Sequence, residues 1–167
     1  MKRPSEPTPG PTPILCVPHP RPEILRLEHD GYTKADCVMA WKIFSDVNRW
    51  RRFSDMYRSI EWRGVPWAPG SRLQIDIVKP VVARQDRVIT MCTPPRCVAW
   101  INHVLGYSME QWVLFDPAAD GGTRVSTWLE VTGSDFHGQD VGKMITRLLE
   151  EWFTNFCAEC DREASAS

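Results

Sequence analysis

Val141-Gly142-Lys143-Met144-Ile145-Thr146-Arg147-Leu148-Leu149-Glu150-Glu151-Trp152-Phe153-Thr154-Asn155-Phe156 carries the clearest pattern in the chain. Val141, Met144, Ile145, Leu148, Leu149, Trp152, Phe153 and Phe156 recur at i, i+3, i+4, i+7 and onward without a gap, the period of a helix with one apolar stripe. Lys143, Arg147, Glu150, Thr154 and Glu159 stand opposite them. At about 100 Å² per large side chain and ~25 cal/mol/Å², burying this stripe contributes on the order of 15–20 kcal/mol before entropy. A helix of this kind must lie against an apolar surface of comparable length, and the rest of the sequence has to supply it.

Upstream the period changes to two. Residues 71–78 alternate strongly, Leu73, Ile75 and Ile77 opposing Arg72, Gln74 and Asp76. Further strand-like runs occupy 23–29, 58–63, 81–91, 97–103, 107–115 and 123–131, the last with Val125, Leu129 and Val131 on one side. The inward parity of 81–91 stays open, because odd and even positions both mix apolar and charged residues. Pro94-Pro95 interrupts pairing, having no backbone N–H to donate, and the segment 64–70, with two Gly and two Pro, is a rigid loop. Between the first two strands the spacing predicts two short helices. Thr33 caps the first, with Asp36 in its opening turn and Ala35, Val38, Trp41 and Phe44 on one face. Trp50 and Phe53 mark the second. The expected class is α+β: a curved seven-stranded antiparallel sheet wrapped around a long C-terminal helix, with two short helices after the first strand. Residues 1–22 are expected to form a Pro-rich extended or disordered tail, 23–163 the domain, and 164–167 a disordered C-terminus.

Composition narrows the function. At 167 residues, with 43% hydrophobic and 25% charged content, the chain suits one domain. A formal net charge of −1, with Arg scattered among Asp and Glu, argues against nucleic acid as a partner. No apolar run approaches the ~20 residues of a membrane span, and the Pro-rich start is no apolar signal core, so membrane insertion is not expected and a cytoplasmic location is. Six cysteines in such a chain read as free thiols. Cys157 and Cys160 continue the apolar stripe of the last helix, which favours buried structural thiols over a metal or redox pair. His19, His29 and His137 lie in separate segments without ligand spacing, and no phosphate-cradling loop or Gly-x-Ser-x-Gly elbow occurs, so neither metal nor cofactor is expected.

The order strand, two short helices, six strands, long helix is the helix-grip arrangement. The segment from Trp41 through Asp46 to Trp50, the loop Trp67-Ala68-Pro69-Gly70-Ser71-Arg72-Leu73, Pro94-Pro95-Arg96-Cys97-Val98-Ala99-Trp100 and Gly122-Thr123-Arg124-Val125 resemble, in order, landmarks of the START-like (SRPBCC) superfamily of polyketide cyclase/dehydrase type, sharing the Bet v 1-type fold. The resemblance spans about 23–163. It implies a cavity between sheet and long helix, used across the superfamily for lipids, polyketides, hormones and quinones, by enzymes, carriers and partner-binding proteins alike. Many relatives carry His where this chain has Gln111, so the resemblance implies no general base there.

Taking Leu73, Ile75 and Ile77 as inward, the neighbouring strands are expected to face Tyr107, Met109, Gln111 and Val113, with Leu129, and also Ala99, Ile101 and His103, into the cavity. Trp67 is placed at its entrance, and Met144, Leu148 and Trp152 come from the helix. These define the candidate ligand-binding set: a largely apolar wall with sparse polar groups, suited to a hydrophobic small molecule. The enzyme alternative rests on His103 as acid or base and Tyr107 as oxyanion donor, acting on a carbonyl ligand. Against it stands His103 as an idle, partly solvated strand-end residue. Arg84 and Asp86 share a face and read as surface charges. A third alternative is an interaction module, in which Trp100, Trp112 and Trp128 form an outer patch for a homodimer.

Overall fold

The structure, a computed structural model, describes residues 23–133 and 139–166, the side chains of 23 and 139–141 excepted. The Pro-rich segment, His19, His137, Gly138 and the Val141 side chain lie outside the described residues. Strands β1 (Glu23–Thr33), β2 (Tyr57–Arg63), β3 (Arg72–Ile77), β4 (Ala83–Thr93), β5 (Cys97–Val104), β6 (Tyr107–Pro117) and β7 (Thr123–Gly133) form one antiparallel sheet in the order β1-β7-β6-β5-β4-β3-β2. Helices α1 (Cys37–Ser45) and α2 (Trp50–Phe53) follow β1, joined by a 3-10 turn over Val47–Arg49, and α3 (Gln139–Ala166) closes the chain. This is the helix grip that the sequence predicts.

The described residues correct several local expectations. β1 runs on to Thr33, because the ladder with β7 continues to the pair Thr33↔Thr123. Thr33 is therefore no helix cap; Asp36 is, its side chain accepting from Met39 N at 2.8 Å. α1 buries Ala40, Ile43 and Phe44 and leaves Val38 exposed, so its inward face is rotated from the expected one. α3 runs to Ala166, past the expected boundary at Glu163, with Ala164 packed on the core.

The inner sheet face is set by register, because residues paired directly across antiparallel strands point to the same side. Leu73, Ile75 and Ile77 point inward as expected, buried to 5% exposure or less. Their β4 partners are Arg87, Gln85 and Ala83. The ladder between β4 and β5 then slips between Ile89 and Met91, so that Thr90 is an extra residue and Cys92 replaces Met91 opposite Val98. Either parity fails for the whole strand because the bulge changes it midway.

α3 approaches β1, α1 and α2 most closely. At Gly31 of β1 the approach leaves no room for a side chain, for a Cβ there would stand 2.9 Å from Cys157 Sγ. Its C-terminal half is clamped. Asp161 accepts from Thr33 Oγ1 and Lys34 N, both at 2.7 Å; Asn155 Nδ2 donates to Phe53 O at 3.1 Å; and Arg49 pairs with Glu163 at 2.9 Å. Phe153, Phe156, Cys157 and Cys160 are buried, whereas Met144 is exposed and Ile145, Leu148 and Leu149 are half-buried.

Candidate functional site

Where α3 stands off from β4, β5 and β6, a cavity of about 180 Å³ remains. Its floor is aromatic: Phe44, Trp50, Trp100, Trp152 and Phe153. Sheet residues Ile77, Met109 and Leu129 and helix residues Ile145, Leu148 and Leu149 form the apolar walls. Val81 and Met144, exposed by 43% and 38%, stand at the mouth with Tyr107 and Leu105. Leu105 (φ 50°) and Gly106 (φ 82°) make the tight β5–β6 turn, both left-handed as that kind of hairpin requires. Leu105 carries an apolar side chain into solvent from a conformation that disfavours it. The ring of Tyr107 rests on Gly133, where a Cβ would come 2.4 Å from its Cδ1.

The polar lining is compact. Arg87 is the one charged side chain on the cavity wall among the described residues. Its guanidinium lies 5.1 Å from the Trp100 ring centre and 5.8 Å from that of Trp50, held over two indole faces. It donates from Nε (3.3 Å) and Nη2 (3.1 Å) to Gln85 Oε1, which Asn102 Nδ2 also approaches at 3.5 Å. The Tyr57 hydroxyl lies beside it, and burial pushes that phenol up. Burial pulls the Arg87 pKa down, opposed by Tyr57. The buried Asn102 Oδ1 accepts no hydrogen bond, and Trp152 Nε1–H approaches the Tyr57 hydroxyl without closing one. Gln111 Nε2 donates to Thr127 Oγ1 at 2.9 Å, and that hydroxyl donates to Trp112 O at 2.8 Å, which fixes the Gln111 amide in the wall.

Of the residues expected from sequence, Ile77, Tyr107, Met109, Gln111, Leu129, Met144, Leu148 and Trp152 border the cavity. Leu73, Ile75 and Val113 point the same way but are packed solid farther along the sheet. Trp67, expected at the entrance, lies instead in the aromatic core, donating Nε1–H to Ser45 O at 2.9 Å and meeting Trp41, Phe44 and Trp62. Ala99, Ile101 and His103 face the other way, because their β6 partners are Trp112, Glu110 and Ser108, on the outer side. His103 is exposed there and cannot reach the interior. The inward residues of β5 are Val98, Trp100, Asn102 and Val104. The expected three-Trp outer patch loses Trp100 for the same reason; Trp112 and Trp128 remain opposite each other on that face. Arg84 and Asp86 pair outside with Asp76 and Arg72.

Cys157 and Cys160 are buried thiols; burial pushes Cys157 up to about 11 and Cys160 higher still. No group of three or more metal-ligating side chains occurs among the described residues, and none of their helices is long and apolar enough to cross a membrane.

No family model and no curated protein matches the chain by sequence. Solved structures do match. A START superfamily protein from Mycobacterium smegmatis superposes with a TM-score of 0.70 at 13% identity, over 82% of this chain and 97% of that one. For Ara h 8.0201 the values are 0.68 and 13%, over 83% and 98%. For a conserved protein from Geobacillus kaustophilus they are 0.66 and 16%, over 83% and 96%. At such identities the likeness is one of fold.

Proposed function

We propose, for a chain with the START-like helix-grip fold, that it binds a hydrophobic small molecule between the sheet and the first half of α3. The observation that carries this reading is the contrast within one interior. Aromatic rings pack without gaps under the second half of α3, yet under the first half the apolar side chains Ile145, Leu148 and Leu149 border open space. Apolar surface left around a cavity forfeits the packing that would otherwise stabilise the fold. A guest of matching chemistry restores that contact, and the polar wall residues orient it. Lipids, polyketides and aromatic metabolites all fit this description.

The enzyme alternative, a cyclase or dehydratase acting on a carbonyl ligand, loses its base, since His103 lies outside and Gln111 cannot take a proton at neutral pH. Tyr107 remains at the mouth as a polar contact. Native mass spectrometry of protein purified without denaturation tests the proposal. It should reveal a retained small molecule or, on addition of a pocket-sized apolar compound, a stoichiometric adduct that Leu148→Trp blocks. An interior that accepts no apolar compound of any size rejects the reading.

A further inference from the structure

Arg87 stands on the inner face of β4 because the bulge at Thr90 comes after it, so the parity that places Ile89 inward places Arg87 inward too. Arg87 is half-buried against the cavity, and a cation turned toward an apolar interior is costly unless an opposite charge compensates it, which in folded chains usually comes from a carboxylate. Here none does. Among the described residues Arg87 forms no ion pair, and its hydrogen bonds go to the neutral Gln85. The two indoles beneath it and the Tyr57 hydroxyl beside it offset part of the cost without neutralising it. The acidic side chains of β3 and β4 are committed elsewhere, Asp76 to Arg84 and Asp86 to Arg72, on the opposite face.

Resting on the cavity reading above, we propose that the ligand is an apolar molecule bearing a single carboxylate, which Arg87 receives at the aromatic floor. Among the described residues, one cation and no other charged group on the wall match a monoanion and disfavour a dianionic phosphate, whose second charge would go unanswered. Guanidinium geometry favours the same group, since its planar fork meets both oxygens of a carboxylate. Trp152 Nε1–H, buried beside the Tyr57 hydroxyl without closing a hydrogen bond to it, lies within the same wall. The tail would lie toward Met109, Leu129 and Leu148 and leave by the apolar mouth. Gln85 Oε1 holds Nε and Nη2 of Arg87, so a carboxylate meets the guanidinium through the donors that remain or displaces this neutral and weaker acceptor.

The test compares octanoate with 1-octanol, which share a chain length and differ in the head group, by calorimetric titration of the full-length protein at neutral pH. Octanoate should bind at least about tenfold more tightly, the worth of a charge-assisted pair in a desolvated site. Arg87→Gln should remove that preference and leave 1-octanol binding nearly unchanged. Lys143→Gln and Arg147→Gln, on the outer side of α3, should keep it, which separates anchoring inside from attraction at the rim. Equal or better binding of 1-octanol by the unaltered chain overturns the assignment of Arg87 while the cavity reading survives. Binding of neither compound overturns the carboxylate assignment, and the cavity reading falls with it if no other apolar compound binds. The ratio in the unaltered protein decides the matter even if Arg87→Gln fails to fold.

Discussion

The two halves of α3 cover one sheet in different ways. From Phe153 onward, rings interlock: Phe156 lies within 5.6–6.3 Å of Phe44, Phe53, Phe115 and Trp152, and Trp67 closes the far side against Trp62 and Phe44. Hydrogen bonds from Thr33, Lys34 and Asn155 pin the same half to β1 and α2. From Gly142 to Leu149 the helix keeps its apolar stripe but meets space, with Leu25 as its nearest neighbour below Gly142. One periodic pattern thus serves two ends, stability at one half and vacancy at the other. An amphipathic stripe specifies which side of a helix faces in, and what it meets is settled by the partner strands.

The comparison breaks if the two halves contribute equally to stability. Phe156→Ala should cost ~3–5 kcal/mol in denaturant unfolding, the range for removing a fully packed aromatic ring. Leu148→Ala, trimming a wall that already faces a void, should cost about 1 kcal/mol. Similar losses for both would mean the cavity is not open in solution. Gly31→Ala sharpens the closed half. Its new Cβ would press on Cys157 Sγ and destabilise by ~1–3 kcal/mol, and Cys157→Ala in the same chain should recover most of that loss, as a double-mutant cycle would reveal.

A smaller effect concerns the thiols of the packed half. Burial holds Cys157 protonated up to about 11, above its ordinary value of 9.0, so the unfolded chain ionises first. The stability this group lends is complete below the unfolded value and is withdrawn as pH rises from there through about 11. Iodoacetamide at pH 8 should leave Cys157 and Cys160 untouched in the native protein and label both in denaturant, as peptide mapping would show. Labelling of either in the native state would mean that this half opens readily.

Much of this was legible in the letters. The stripe from Met144 to Phe156, the alternation of Leu73, Ile75 and Ile77, and the inward set Tyr107, Met109, Gln111, Val113 each follow a single clean period, and the structure agrees with them. β5 was ambiguous, because Val98, Trp100 and Val104 alternate with Ala99 and Ile101, both sets apolar. Bulk was the available signal, the larger set being the one inside, yet it leaves Asn102 in and His103 out. Arg87 was hidden by the Thr90 bulge, which no periodicity reveals, and by the expectation that a charge in a strand faces water. Trp67 misled because a loop residue in left-handed backbone, at φ 62°, can turn its ring into the core.

The arrangement of indoles around the open half has an optical consequence. Of the eight tryptophans, Trp50, Trp100 and Trp152 border the cavity, and the other five do not. A guest seated against those three would alter their emission while the remaining five hold steady, so the chain carries an unlabelled, built-in gauge of its own occupancy.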